Sequence, residues 1–316
     1  MKLTTVKAGL AALVLSTAPA FAEYPQRDID LVVGFAAGGG TDVMARTVET
    51  YLEKHLGNGA NIVVKNVPGA SGQIGITEVA AAAPDGYTIG TYNLPGMMAR
   101  TLDREPEYSA DSFTFLANVV DDPNVIVTSK ASGLESLDAL IEKAKSETGA
   151  VTVSMSSLGG DDHLFLMKLG EKIGAEFTIV PFKGSAPART ALIGGHVDMA
   201  IVNVSEVANF ADELNIIAVA SEEESEYAPG TPTLKSLGVD IVNGARRGFV
   251  APAGLPEEVE TKLLEAFRQL ENDEEFQAAM KETANPVDLT VGKDFRTLND
   301  QQLELAKEVW EVSPWK

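Results

Sequence analysis

The chain has 316 residues, is 45% hydrophobic, and carries 46 acidic against 25 basic side chains with no cysteine. That length and apolar content suit two cores rather than one. A formal charge of -21 without a basic stripe argues against nucleic acid as a partner, and the lack of cysteine removes disulfides, thiolate metal sites and a lipoprotein anchor.

Lys2 and Lys7, the apolar stretch 10–15 and the small-residue site Ala20-Phe21-Ala22 predict a signal peptide over 1–22, cleaved after Ala22. Its apolar core is far shorter than the ~20 residues of a membrane span, so an exported soluble protein is expected. From residue 28 the chain reads strand, turn, helix. The run 29–35 is apolar, the segment AAGGG cannot stay extended, and Met44, Val48, Tyr51, Leu52 and Leu56 then recur at helical spacing. A strand over 61–67, the turn PGASG, a helix over 73–83, the turn PDG and a strand over 87–92 complete a β-α-β-α-β unit of a parallel sheet.

The mixed stretch 121–132 reads as a crossing between lobes. A second unit follows: strand 151–155, turn SSLGGDD, helix 162–173, strand 177–180, turn PFKGSAP, helix 188–193 and strand 199–203. The acidic run 222–226 reads as a solvated loop. After a strand over 216–220, the segment from Ile241 through RRGFVAPAGLP leads to helices over 257–270, 273–283 and 295–310, which are expected to return to the first lobe. The expected organisation is α/β with lobe 1 over 23–122 plus 241–316 and lobe 2 over 123–240. Two crossings imply a hinge and a cleft.

In open parallel sheets ligands bind beyond the carboxyl ends of the strands, where both glycine-rich turns fall. A helix N-terminus offers free N–H groups and partial positive charge, so each turn suits a carboxylate or phosphate. Gly38, Gly39 and Gly40 either let a ligand approach the backbone or only make a tight turn. GxxxxGK[ST], GxGxxG and GxSxG are all absent, and His55, His163 and His196 form no metal pattern; no catalytic residue, cofactor or metal is expected. Asp161 and Asp162 read as helix caps. His163 either donates to a ligand carboxylate or packs locally. Lys183, Arg189, Arg246 and Arg247 are possible partners for a second carboxylate. Asn93 and Asn203 follow apolar strands, and either read ligand oxygens or form turns.

Five segments in this order, YPQRDIDLVVGFAAGGGTDVMAR, NVPGASGQIG, APDGYTIG, VPFKGSAPARTALIGGHVDMAI and RRGFVAPAGLP, resemble the tripartite tricarboxylate transporter substrate-binding proteins, the Bug receptor family. The resemblance runs from Tyr24 to the C-terminal helices. It implies a two-lobed type II periplasmic-binding-protein fold with the ligand cleft between lobes, no catalysis, and a monomeric periplasmic receptor. Such a receptor delivers a small organic acid, a di- or tricarboxylate by preference, to a two-subunit inner-membrane permease. It also maps the ligand site onto Ala37, Gly38, Gly39, Gly40, Thr41 and Asp42, onto Ser156, Ser157 and Gly160 with His163, and onto Asp198. Two departures stand out: many relatives have proline at Ala37, and relatives commonly have glycine and serine or threonine where this chain has Asp161 and Asp162. The second departure keeps an amino acid or a monocarboxylate open as the ligand. A signalling receptor and a periplasmic carboxylic-acid enzyme are the alternative functions.

Overall fold

The strand-turn-helix rhythm recurs in space. The structure, a computed structural model, describes residues 23–312 other than 104, 106 and 157, together with residue 314. The expected signal peptide, its cleavage point and Ser157 lie outside the described residues.

Strands β1 (Ile29–Val33), β2 (Ile62–Asn66) and β3 (Thr88–Leu94) with helices α1 (Gly40–Leu56) and α2 (Gln73–Ala81) form the first unit, β1 pairing parallel with both neighbours. Helix α1 buries Met44, Val48, Leu52 and Leu56 of the stripe that its spacing predicts, together with Ala45, and leaves Tyr51 half-buried. The chain continues through α3 (Gly96–Ala99) into β4 (Phe113–Ser129), α4 (Leu137–Ser146), β5 (Thr152–Met155), α5 (Asp161–Ile173), β6 (Thr178–Pro181), α6 (Ser185–Ile193) and β7 (Met199–Asn203). Here β5 pairs parallel with β6 and β7, the second unit. Then come α7 (Val204–Val207), β8 (Leu214–Val219), β9 (Gly244–Pro252), α8 (Glu257–Gln269), α9 (Glu274–Glu282), β10 (Val287–Val291) and α10 (Lys293–Val312).

Of the stretch 121–132, where a crossing is expected, residues 121–129 lie inside a strand. Over its 17 residues β4 pairs antiparallel with β9 from Phe113 to Pro123, then with β7 from Asn124 to Thr128. The order β2-β1-β3-β9-β4-β7-β5-β6 is thus continuous. The sequence DDPN suggests a turn, but proline's fixed φ is compatible with extended backbone. Strand β9, unrecognised in the sequence, lies between β3 and β4. Gly248 makes that possible, since a Cβ there would stand 2.4 Å from the Ala117 carbonyl oxygen.

The apolar side chains divide into separate cores. One joins β1 and α1 to Leu263, Phe267, Phe276 and Met280, so α8 and α9 return to the first unit. Another joins Leu140, Val153, Phe165, Leu169 and Ile201 of the second unit. On the other face of the first sheet, Tyr92, Phe115 and Phe295 meet edge to face at 5.2–6.3 Å. Among the described residues no helix is long and apolar enough to cross a membrane.

Candidate functional site

Three helices of eight residues or more begin at one place. Helices α1, α5 and α6 start after Gly39, Gly160 and Gly184, N-cap residues that have no side chain with which to cap them. Their first N–H groups lack intrahelical acceptors. Gly39, Gly40 and Thr41 from the first turn, Ser156 and Gly160 from the second, Ser185 of α6, and Asn93 and Asn203 at the ends of β3 and β7 all line one cavity of about 30 Å³. The cavity therefore brings together eight of the residues proposed from the sequence as ligand contacts: Gly39, Gly40, Thr41, Asn93, Ser156, Gly160, Asn203 and Arg247. Asn93 Nδ2 donates to Thr41 Oγ1 at 2.7 Å, tying β3 to the first turn.

The two turns are shaped by the same device. Asp42, buried behind the first turn, accepts from the Gly38 N–H at 2.8 Å and from Asn66 and Arg46. Burial raises its pKa, but the hydrogen bonds from Arg46, Gly38 and Asn66 outweigh this and hold it below the usual carboxylate range. Asp162 accepts from the Ser156 N–H at 2.6 Å, from Ser156 Oγ at 2.9 Å and from the His163 N–H at 2.9 Å. Burial and then the neighbouring charge of Asp161 push this carboxyl up. His163 Nδ1 accepts from the Gly159 N–H at 3.0 Å, and burial pushes its imidazole down to about 4, so the ring is neutral at pH 7. Asp42, Asp162 and His163 thus hold the turns in shape rather than line the cavity.

Other sequence-derived residues lie elsewhere. Ala37 and Gly38 are on the exposed edge of the first turn, Gly38 at φ 77 where glycine is favoured. Lys183 is exposed and outside the cavity lining. Asp198 precedes β7, at the opposite end of that strand from Asn203, where it pairs with Lys143 at 2.8 Å and accepts from Thr152. The pair Arg246 and Arg247 separates by strand alternation. Arg246 turns to Asp121 and Asp288, at 2.7 Å each, while Arg247 is buried at the cavity.

Arg247 is the centre of a polar cluster at the crossing strands. Nη1 contacts Asp122, and Nη2 donates to Asn203 Oδ1 at 2.8 Å and Glu206 Oε1 at 3.2 Å. Burial pushes Asp122 up to about 6 despite the offsetting charge of Arg247. Asp161 is also raised by burial, although its Oδ2 accepts from Asn124 at 2.7 Å and Asn203 at 2.9 Å. The Nε of Arg247 and that of Arg100 are buried without a hydrogen-bond partner among the described residues. Both residues line the cavity, and their guanidinium groups are otherwise ion-paired, Arg100 with Asp103 at 3.1 Å and Arg247 with Asp122 and Glu206.

Sequence reasoning missed Ser71, Arg100, Ser185 and Glu206. Ser71 and Ser185 sit in turns that had already been recognised, so the carboxyl-end rule extends to them. Glu206 carries a local signal, Asn203-x-x-Glu206, a capping box whose two bonds are both present. Nothing local marks Arg100. A larger groove of about 770 Å³ opens on the face of the crossing strands carrying Asp121, Pro123 and Arg246, and neither glycine-rich turn reaches it. The smaller cavity, where the helix N-termini and buried arginines converge, is the better candidate. Among the described residues no group of three His, Cys, Asp or Glu side chains is placed to hold a metal ion.

Comparison with known proteins bears on the family and the fold. BugT of Bordetella pertussis (strain Tohama I) is 34% identical over 253 residues, covering 78% of this chain and 76% of its own. The structure of the periplasmic binding protein BugD superposes with a TM-score of 0.84 at 30% identity, covering 92% of this chain and 98% of that one. The structure of R. palustris Rpa4515 with adipate gives 0.85 at 28% identity, covering 91% and 97%. The expected periplasmic-binding-protein fold is therefore present. The profile described as "Tripartite tricarboxylate transporter family receptor" matches residues 44–308, and the chain belongs to that family.

Proposed function

We propose that this receptor captures a small organic acid between the two glycine-rich turns and hands it to a two-subunit inner-membrane permease, without transforming it. The observation that carries this is the convergence of three helix N-termini, each preceded by a glycine that has no capping side chain, on a cavity also lined by Arg100 and Arg247. Preorganised donors of this kind favour a carboxylate. The relative solved with adipate supports a dicarboxylate. Ligand contacts are assigned to Gly39, Gly40, Thr41, Asn93, Ser156, Gly160, Asn203 and Arg247, with Ser185 and Arg100 added. Residues 23–122 with 241–316 are proposed as lobe 1 and residues 123–240 as lobe 2, the crossings lying at Asp122–Asn124 and Asn243–Ala245. The mature protein is taken to be a periplasmic monomer beginning after Ala22.

A second ligand class is favoured by a specific observation. The carboxylates of Asp161 and Glu206 also line the cavity, and they suit an acid that carries an ammonium group. A thermal-shift screen of dicarboxylates, tricarboxylates and amino acids at millimolar concentration separates the classes, because a ligand of the folded state raises its melting temperature. No shift with any of them overturns the reading. Recovery of the bound acid unchanged after long incubation tests the absence of turnover.

A further inference from the structure

We infer that Glu206 is a built-in substitute for the ligand's carboxylate, a lobe 2 side chain that docks on the α1 N-terminus of lobe 1 and closes the receptor on itself. This rests on the reading of the cavity as the ligand site. Glu206 Oε1 accepts from the Gly40 N–H at 3.3 Å, although the two residues are 166 positions apart in the chain. Gly40 is the first residue of α1, so its N–H has no acceptor within the helix, and the N-cap Gly39 has no side chain to offer one. Only glycine admits the approach: a Cβ at position 40 would stand 2.7 Å from Glu206 Oε1.

The carboxylate is held within lobe 2 by its own capping box, where Oε2 accepts from the Asn203 N–H at 3.0 Å, while Oε1 also accepts from Arg247 Nη2 of lobe 1. Lobe 2 therefore presents an oriented anion to the part of lobe 1 best suited to receive one. Two further lobe 2 side chains meet the same turn: Ser185 Oγ lies 3.4 Å from the Gly40 N, and the Arg189 guanidinium Nη2 lies 3.5 Å from the Gly38 carbonyl oxygen.

The conformation held by these contacts leaves about 30 Å³ in the cavity, room for about one water molecule. An acid of adipate's size does not fit beside Glu206. Binding is then an exchange of carboxylates, in which the ligand takes Gly40 from Glu206. The self-closed population lowers the apparent affinity by the fraction of receptor that is not open.

The test is small-angle scattering of the purified protein without added acid, followed by titration calorimetry with adipate or the best acid from the thermal screen. Glu206→Gln keeps the capping box and removes the charge. Gly40→Ala obstructs the contact from the other lobe and leaves Glu206 itself in place, although its Cβ would also press on Arg247 Nη2 at 2.9 Å. Both variants are expected to have a larger radius of gyration than the wild type, and Glu206→Gln to bind the acid about three- to tenfold more tightly. Unchanged scattering in both variants overturns the proposal, as does weaker acid binding by a Glu206→Gln protein that melts cooperatively. If Glu206→Gln fails to fold, the scattering of Gly40→Ala decides. Scattering uses no ligand, so failure of every acid to bind would strike the proposed function and leave this measurement intact.

Discussion

Asp42 and Asp162 sit at equivalent places in their turns, each reaching back from the first turn of a helix to a backbone N–H before it. In the sequence Asp42 stands beside three glycines and reads as a ligand contact. In the structure it is 2% exposed and supports the turn from behind. Asp42→Ala is expected to cost about 1–3 kcal/mol of stability, through the donors left unsatisfied, and to weaken acid binding because the turn loosens; urea unfolding and calorimetry measure the two effects. Its pKa is depressed in the folded state, so its contribution is complete above the unfolded value of ~3.9 and disappears as pH falls through the folded value. The stability gap between wild type and Asp42→Asn should therefore shrink in melts taken below pH ~4. Exposed Lys183 and buried Arg100 give a contrasting pair. Lys183→Ala is expected to change acid affinity by less than about twofold, and Arg100→Ala to reduce it at least about tenfold, ~1.4 kcal/mol, in calorimetric titration.

At the scale of elements, local pattern located most helices and parallel strands to within a few residues, because burial of one face imposes a period that the sequence must carry. The misses have distinct causes. Helix α4 was legible, with Ser136 capping the Ala139 N–H and Leu137, Leu140 and Ala144 buried at helical spacing. Strand β9 was not, because two arginines and Gly248 interrupt its apolar run. Those arginines are satisfied only by partners distant in sequence. The glycines of PGASGQIG act at this scale too. Gly75 lets α2 lie against β1, since a Cβ there would stand 2.9 Å from the Gly34 Cα. Gly75→Ala confronts backbone that cannot rotate away, and is expected to destabilise by about 1–3 kcal/mol in thermal melts.

For the whole molecule, the decisive element is β4, which belongs to both halves of the sheet and carries Asp122 where its partner changes from β9 to β7. Asp122 and Arg247 are both fully enclosed and 125 residues apart in the chain. Asp122→Ala would leave Arg247 without its closest counter-charge, and a loss on the order of 3–5 kcal/mol is expected in denaturant unfolding. The sequence by itself determined the two turns, the helices that follow them and the placing of both turns at the carboxyl ends of strands, where the candidate cavity lies. These depend on backbone geometry, capping and side-chain period within about twenty residues. Which side chains face the cavity was settled only by tertiary structure. The choice of Arg247 over Arg246, the arrival of Arg100, the removal of Asp198 to the far end of its strand and the meeting of Glu206 with Gly40 all depend on strand register and on the return of the chain across β4. Those are long-range pairings, and no local window of sequence contains them.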